Sequence, residues 1–343
     1  MSTVSSTLAH WYACNKRDLP WRHTRDAYLI WLSEVILQQT RVDQGLAYWR
    51  RFSERFPTVH QLAQASEDEV LRLWQGLGYY SRARNLRQAA QQVVEQHDGV
   101  FPAQPEILRS LKGVGDYTAA AIASIAYGMP EAVVDGNVYR VLARLYGSAT
   151  PIDTQQGRKE FKMLAQQLLD PQRPGDHNQA MMELGATVCL PRMPRCTVCP
   201  LSPHCIAYRD PRMQDLPVKM GKAKVRKRHF NYLLISHSGG IYLRKRTAKD
   251  IWQGLYELPL IETPQEMKRF RSQGLPIEAP RLLEGPVVHL LSHQRIEAKL
   301  WEGQLAQAGS APADWVWVDP DRSDRYAVPR LIERWLAKVM LVE

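Results

Sequence analysis

The sequence predicts a multidomain protein in which an all-α first half is joined by a basic connector to a smaller α+β second half. Two changes of texture along the chain support this. Through residue 210, apolar side chains recur at spacings of three and four, as helices with one buried face require. After Arg228 they alternate in short runs separated by glycine-containing turns, the pattern of half-buried strands. The expected organisation is a helical domain over residues 1–218, a basic linker over 219–228 and an α+β domain over 229–343.

The periodicity places helices over Ala27–Trp49, Ser66–Trp74, Ala83–Gln96, Thr118–Tyr127, Val138–Tyr146 and Gln155–Leu169. Pro57, Gly76, Gly78, Pro102, Pro105, Gly113, Gly115, Pro130 and Pro174 punctuate them, because proline and glycine end helices for opposite backbone reasons. In the second half, Tyr232–Ile235, Ile241–Arg244, Val287–Ser292 and Ile296–Trp301 read as short strands, with a turn at Ser238-Gly239-Gly240. Trp315–Val318 reads as a further strand and Pro329–Val339 as a closing helix.

A chain of 343 residues with 45% apolar content and ten tryptophans can bury a core in each of two or three domains. No stretch is long and apolar enough for a membrane span, and Met1–Asn15 lacks the pattern of a signal peptide. A cytoplasmic, reducing location is therefore expected, with no membrane partner. The net charge of +10 points to a polyanion. Residues 1–218 carry 24 basic and 21 acidic side chains and residues 229–343 carry 15 and 14, while Lys219–Arg228 carries six basic and none acidic. More than half of the excess therefore lies in the linker, which reads equally as a solvated connector or as a strap on phosphates.

Four of the five cysteines are clustered: Cys189, Cys196, Cys199 and Cys205, spaced C-x6-C-x2-C-x5-C. Four thiolates in a proline-rich basic loop form a ligand set for a metal, and the spacing alone leaves zinc and iron–sulfur both open.

Four further motifs carry possible chemistry. Leu111–Ile122 contains Gly113-Val114-Gly115 between two helical stretches, a turn whose bare amides beside a helix N-terminus suit a phosphate. It reads either as a helix-hairpin-helix clamp or as an ordinary turn between helices. Glu34 falls on the apolar stripe Ile30, Glu34, Leu37. Burial there raises a carboxyl pKa and makes a proton donor near neutral pH, unless a buried arginine pairs with it. Asp135 follows an apolar run and precedes a helix, where an aspartate caps the N-terminus and stays available to stabilise a cation. Gln75–Arg84 sets Tyr79 and Tyr80 beside two arginines, either a wedge for a base stack or a buried aromatic pair.

Together the hairpin, the aspartate some twenty residues later and the cysteine spacing resemble the endonuclease III superfamily of DNA glycosylases. Within it, Leu19-Pro20-Trp21-Arg22 and Ser33–Thr40 resemble the MutY adenine DNA glycosylases over most of residues 8–210. The resemblance implies an all-α helix-hairpin-helix glycosylase domain with an iron–sulfur cluster loop over 189–205, and a C-terminal Nudix-like domain that reads 8-oxoguanine. It implies a 4Fe–4S cluster on Cys189, Cys196, Cys199 and Cys205, and removal of adenine mispaired with 8-oxoguanine or guanine. Glu34 matches the family's catalytic acid and Asp135 its catalytic aspartate. Tyr117, Asn137, Glu183 and Arg22 match active-site positions; Gln39, Thr40 and Tyr79, with Gly113 and Gly115 of the hairpin, match DNA- and lesion-contacting ones. The partner it implies is double-stranded DNA, expected to be clamped from both sides by a monomer held at the nucleoid.

Two departures refine that expectation. Superfamily members with lyase activity carry a Schiff-base lysine where this hairpin has Tyr117, and Lys112 lies on the other side of the glycines, so strong strand cleavage is not expected. Gly254-Leu255-Tyr256-Glu257-Leu258-Pro259 resembles the start of a Nudix box, but Thr263–Met267 lacks the acids that would hold Mg²⁺. Recognition rather than hydrolysis is expected of this domain. Leu291-Ser292-His293 stands where many bacterial relatives have Phe-Ser-His, retaining Ser292 and His293 for the lesion without the aromatic contact. An oxidised-pyrimidine glycosylase/lyase and a DNA-binding or redox-sensing protein without catalysis are the competing readings.

Overall fold

The computed structural model describes residues 3–221, 225–237, 239–305, 307 and 309–340. Ser238 of the expected turn and residues 222–224 of the expected linker lie outside the described residues. The chain forms two compact units: residues 1–64 with 85–221, and residues 65–84 with 222–343.

The first unit is helical. It contains α1 (Thr3–Asn15), α2 (Ala27–Leu37), α3 (Val42–Arg55), α4 (Val59–Gln64) and most of α6 (Ser81–His97), while α5 (Glu67–Trp74) belongs to the second unit. It continues with α7 (Pro105–Leu108), α8 (Asp116–Tyr127), α9 (Gly136–Leu145), α10 (Gln155–Leu168), α11 (Pro174–Thr187) and α12 (Ile206–Arg209). The expected helix Ala27–Trp49 is two helices. Asp26 caps α2 by accepting from the Tyr28 amide at 2.8 Å, and Gln39 at φ +57° ends it in the left-handed region. The apolar period runs through the break because α3 crosses the end of α2 closely. A Cβ on Gly45 would lie 2.6 Å from Leu37 Cδ2.

Helices α1 and α11 were not legible in the periodicity. The buried face of α11 mixes His177, Asn178, Gln179 and Glu183 with Ala180, Met181 and Leu184, so polar residues interrupt the apolar stripe. Both helices border one core, in which Leu8 and Tyr12 of α1 join Leu142 of α9, Phe161 of α10 and Leu184 of α11. Cys189, Cys199 and Cys205 pack against that same core.

The second unit is built on a mixed sheet of β1 (Arg226–His237), β2 (Gly240–Lys245), β3 (Tyr256–Glu257), β4 (Leu260–Thr263), β5 (Ile277–Leu290), β6 (Gln294–Leu305) and β7 (Trp315–Val318), closed by α13 (Arg330–Met340). Strand order is β3-β2-β1-β6-β5, with β4 on β1 and β7 on β2. The central pair β1–β6 is parallel over Arg226–Ile235, and β5–β6 is antiparallel. β1 is buried continuously from Phe230 to Ile235, as a strand covered on both faces must be. Trp335 of α13 lies edge-on to Tyr232 with ring centroids 5.7 Å apart. The strands run longer than the short ones expected: β1 continues past its buried run into exposed ends, and β5 has no buried residue to mark its length.

The basic run of Lys219–Arg228 is not uniformly solvated. Arg226–Arg228 already belong to β1, and buried Arg228 is bonded to both Asp250 and Glu262. Nor do the described residues include the acidic helix of a Nudix box. Residues 264–276 form turns, Glu266 pairs with Lys299 at 2.8 Å, and buried Glu257 is held by Arg244, Arg246 and the Tyr232 hydroxyl.

Gly185 of α11 is the closest approach to α9. An added Cβ would lie 2.6 Å from Asn137 Cβ and 3.1 Å from its backbone. Gly185→Ala is expected to cost about 1–3 kcal/mol, as overpacking does, read as a lowered urea midpoint.

Candidate active site and cysteine loop

The first unit holds a cavity of about 170 Å³ lined by Trp21, Arg22, Glu34, Tyr117, Asp135 and Glu183, among others. Three carboxyl groups share it, and each is accommodated differently. Glu34 sits on α2, whose residues are buried without a break from Ile30 to Ile36. Its partner is the Tyr117 hydroxyl, which donates to Glu34 Oε2, and among the described residues no arginine forms an ion pair with it. Burial drives its pKa up to about 7; the Tyr117 bond opposes that rise and the nearby Asp135 charge adds to it.

Asp135 caps α9. Its Oδ1 accepts from the amides of Asn137 at 2.9 Å and Val138 at 2.7 Å, and its Oδ2 accepts from Asn137 Nδ2 at 2.8 Å. Burial raises this carboxyl above the ordinary range, while the three hydrogen bonds favour its ionised form. Glu34 has one hydrogen-bond donor where Asp135 has three, so the ionised form is the better supported at Asp135. Asn137 is oriented in turn by Arg140, whose Nη2 donates to Asn137 Oδ1 at 2.9 Å and to Gly185 O at 2.7 Å.

Glu183 is fully buried on α11 and bidentate to Arg17, with Arg22 Nη2 2.6 Å from its second oxygen. Burial pushes its carboxyl up, but the two arginines win and hold it at about 2. Arg17 carried no sequence signal. It becomes legible only once α11 delivers Glu183 beside it.

Thr40 lines the same cavity, whereas Gln39 is exposed beside it in sequence. In the hairpin, Gly113 at φ +77° runs so close to Asn85 that a Cβ would meet its side chain at 2.8 Å. Gly115 precedes α8 with no side-chain cap, and the Lys112 amide is already bonded to Gln92.

Tyr79, Ser292 and His293 come together in the second unit. The Tyr79 and Ser292 hydroxyls are hydrogen-bonded, and both residues line a cavity of about 310 Å³ with His293, Trp252 and Arg84. Leu291 lies on its wall too. Tyr79 and Trp252 are both left-handed, at φ +49° and +59°, and Gln39 shares that conformation. Such backbone strain gathers at functional positions. Trp252 was not singled out by the sequence.

Cys189, Cys196, Cys199 and Cys205 are free thiols lining one small cavity beside Arg144. Among the described residues no group of three or more His, Cys, Asp or Glu is set for a single metal ion. Four thiols on one cavity walled by Val188, Pro194 and Met213, with the Arg144 guanidinium at Cys189 and Arg195 also on the wall, are a donor set that fits a sulfur-ligated centre.

Comparison with known proteins gives this arrangement a context. Residues 32–167 match the HhH-GPD superfamily of base excision DNA repair proteins and residues 231–338 match a NUDIX domain. Similar relatives include adenine DNA glycosylases of Arabidopsis thaliana (42% identity; 76% of this chain, 47% of the relative) and Mus musculus (40%; 88% and 60%). That of Buchnera aphidicola from Acyrthosiphon pisum is 34% identical, over 76% of this chain and 75% of the relative. The chain belongs to the adenine DNA glycosylase family. It spans about half of the plant relative's length and 60% of the mouse one's. Its helical unit has the fold of endonuclease III-like glycosylases. A thermostable thymine-DNA glycosylase structure covers 60% of the chain at 29% identity with a TM-score of 0.56. An endonuclease III–DNA complex at 22% identity and a TM-score of 0.53 shares that fold. The mixed sheet of the second unit is the family's Nudix-like domain.

Because Glu183 titrates below its unfolded value of about 4.3, the stability it contributes is complete above that pH and fades as pH falls toward 2. Glu183→Leu, which strands Arg22 in the cavity, should cost about 3–5 kcal/mol at neutral pH. The gap between the urea midpoints of variant and wild type should narrow below about pH 4.

Proposed function

We propose that the protein removes adenine mispaired with 8-oxoguanine, or with guanine, from double-stranded DNA by hydrolysing the N-glycosidic bond. The observation that carries this reading is the pairing of Glu34, a carboxyl that keeps its proton to about pH 7, with hydrogen-bonded Asp135 on one cavity. A base inside a duplex is unreachable, so the adenine must be flipped into the cavity. Protonated Glu34 gives its proton to adenine N7 and turns the base into a better leaving group. Tyr117 holds one Glu34 oxygen, leaving the other for the base. The sugar gains oxocarbenium character as the bond lengthens. Ionised Asp135 stabilises or traps that cation, and water completes the hydrolysis.

Asn137 and Arg140 fix the Asp135 side, while Glu183 fixes Arg22 against the cavity wall. In the second unit, Tyr79, Ser292 and His293 offer hydroxyl and imidazole groups to 8-oxoguanine. Gln39 and Thr40, and the hairpin glycines Gly113 and Gly115, contact the DNA strands in this reading. Cys189, Cys196, Cys199 and Cys205 would hold a 4Fe–4S cluster, which would tie the basic loop rigidly, and no step of base removal passes through it. Location follows from the DNA: among the described residues no helix is long and apolar enough to cross a membrane.

Single-turnover release from duplexes with adenine opposite 8-oxoguanine, guanine or thymine tests the proposal. Release should be fastest opposite 8-oxoguanine and fall at least about a hundredfold in Glu34→Gln with DNA binding retained. Absence of adenine release from every duplex would overturn it. Because Glu34 acts in its protonated form, the rate should hold below about pH 7 and drop about tenfold per unit well above it. Tyr117 in place of a hairpin lysine predicts no DNA–protein adduct on borohydride reduction, and a robust adduct would favour a lyase instead.

A further inference from the structure

Arg144 lies on α9, one turn beyond Arg140, and only 2% of it is exposed. A buried guanidinium is costly unless an anion faces it. Among the described residues no carboxylate lies within ion-pair distance of Arg144. Its donors go instead to the carbonyls of Leu190 at 2.7 Å, Pro191 at 3.2 Å and Leu216 at 3.2 Å, and its Nη1 stands 3.4 Å from Cys189 Sγ. Arg140, on the same helix, also lies in the field of Cys189 and of Asp135, but its guanidinium bonds Asn137 and the carbonyls of Cys189 and Gly185 rather than a sulfur. The one group of anionic character that Arg144 touches is thus a cysteine of the four-thiol loop.

We propose that Arg144 is the built-in counter-cation of the centre held by Cys189, Cys196, Cys199 and Cys205, and that its charge sets that centre's reduction potential. This rests on the reading of those cysteines as cluster ligands. A cation fixed in a water-poor site stabilises the more negative, reduced state over the oxidised one and so raises the potential. The three carbonyl bonds explain why arginine does this here. Its fork is held rigidly by the backbone that leads into and out of the loop, leaving the second N–H of Nη1 for the sulfur. Arg144 is accordingly a positioning and tuning residue, remote from the base-removal chemistry.

The test is protein-film voltammetry of the full-length wild type, Arg144→Lys and Arg144→Gln without DNA, with iron and sulfide content measured on each. Arg144→Gln keeps hydrogen-bond donors but loses charge. Its one-electron equilibrium should shift at least about tenfold toward the oxidised state, a fall of about 59 mV, whereas Arg144→Lys should stay near wild type. Loss of iron from the Gln variant alone supports the same charge dependence, expressed at assembly. Equal potentials in Gln, Lys and wild type, or equal loss of iron from both variants, would overturn the proposal and leave Arg144 a scaffold residue. Wild-type protein that purifies without iron and sulfide would remove the cluster reading itself, an outcome separate from those.

Discussion

The organisation of the helical unit turns on burying three carboxyl groups around one cavity. Each burial is costly, and the fold meets each cost by a different route. Glu34 retains a proton, Asp135 receives three hydrogen bonds at the start of α9, and Glu183 is gripped by Arg17 and Arg22. Asp135 is met by the start of its own helix, whereas Glu34 of α2 depends on Tyr117 of α8 and Glu183 of α11 on Arg17 and Arg22, so these elements converge on the cavity. The spread of acidities from about 2 at Glu183 to about 7 at Glu34 is a product of helix packing.

The same packing ties the cavity to the cysteine loop. Arg140 runs from Asn137 on the cavity side to the Cys189 carbonyl, at 2.9 and 2.7 Å, and Gly185 lets α11 close over it. The loop itself has little regular structure beyond short turns. It is positioned by the apolar core behind Cys189, Cys199 and Cys205 and by arginine bonds to its backbone. One guanidinium thus bonds both the backbone of the loop and the side chain that donates to Asp135.

Much of this was legible in the sequence, for identifiable reasons. Glu34 announces itself because a carboxylate on an apolar stripe violates the pattern around it, and Asp135 because capping is a local affair. The cysteine spacing is local too. What stayed hidden depends on long-range pairing. Arg17 has meaning only through Glu183, more than 160 residues away, and α11 lacks a clean apolar stripe because it carries buried polar partners. The break at Gln39 was masked because α2 and α3 bury faces in a continuous register. In the second half the buried run of β1 was visible, while most of β5, exposed along its length, carried no apolar pattern to mark it.

The segment Ala65–Arg84 packs with the C-terminal residues, bonding Arg72 to Asp324, Gln75 to Glu333 and Arg84 to Gln253. The backbone therefore passes between the two units three times, after residues 64, 84 and 221. Cutting the chain in the basic stretch severs one of those passages and leaves two intact. A fragment begun at residue 222 would lack Tyr79 and with it one wall of its own cavity. Residues 65–84 and the C-terminal residues thus make up one compact unit, which a cut at residue 222 would divide.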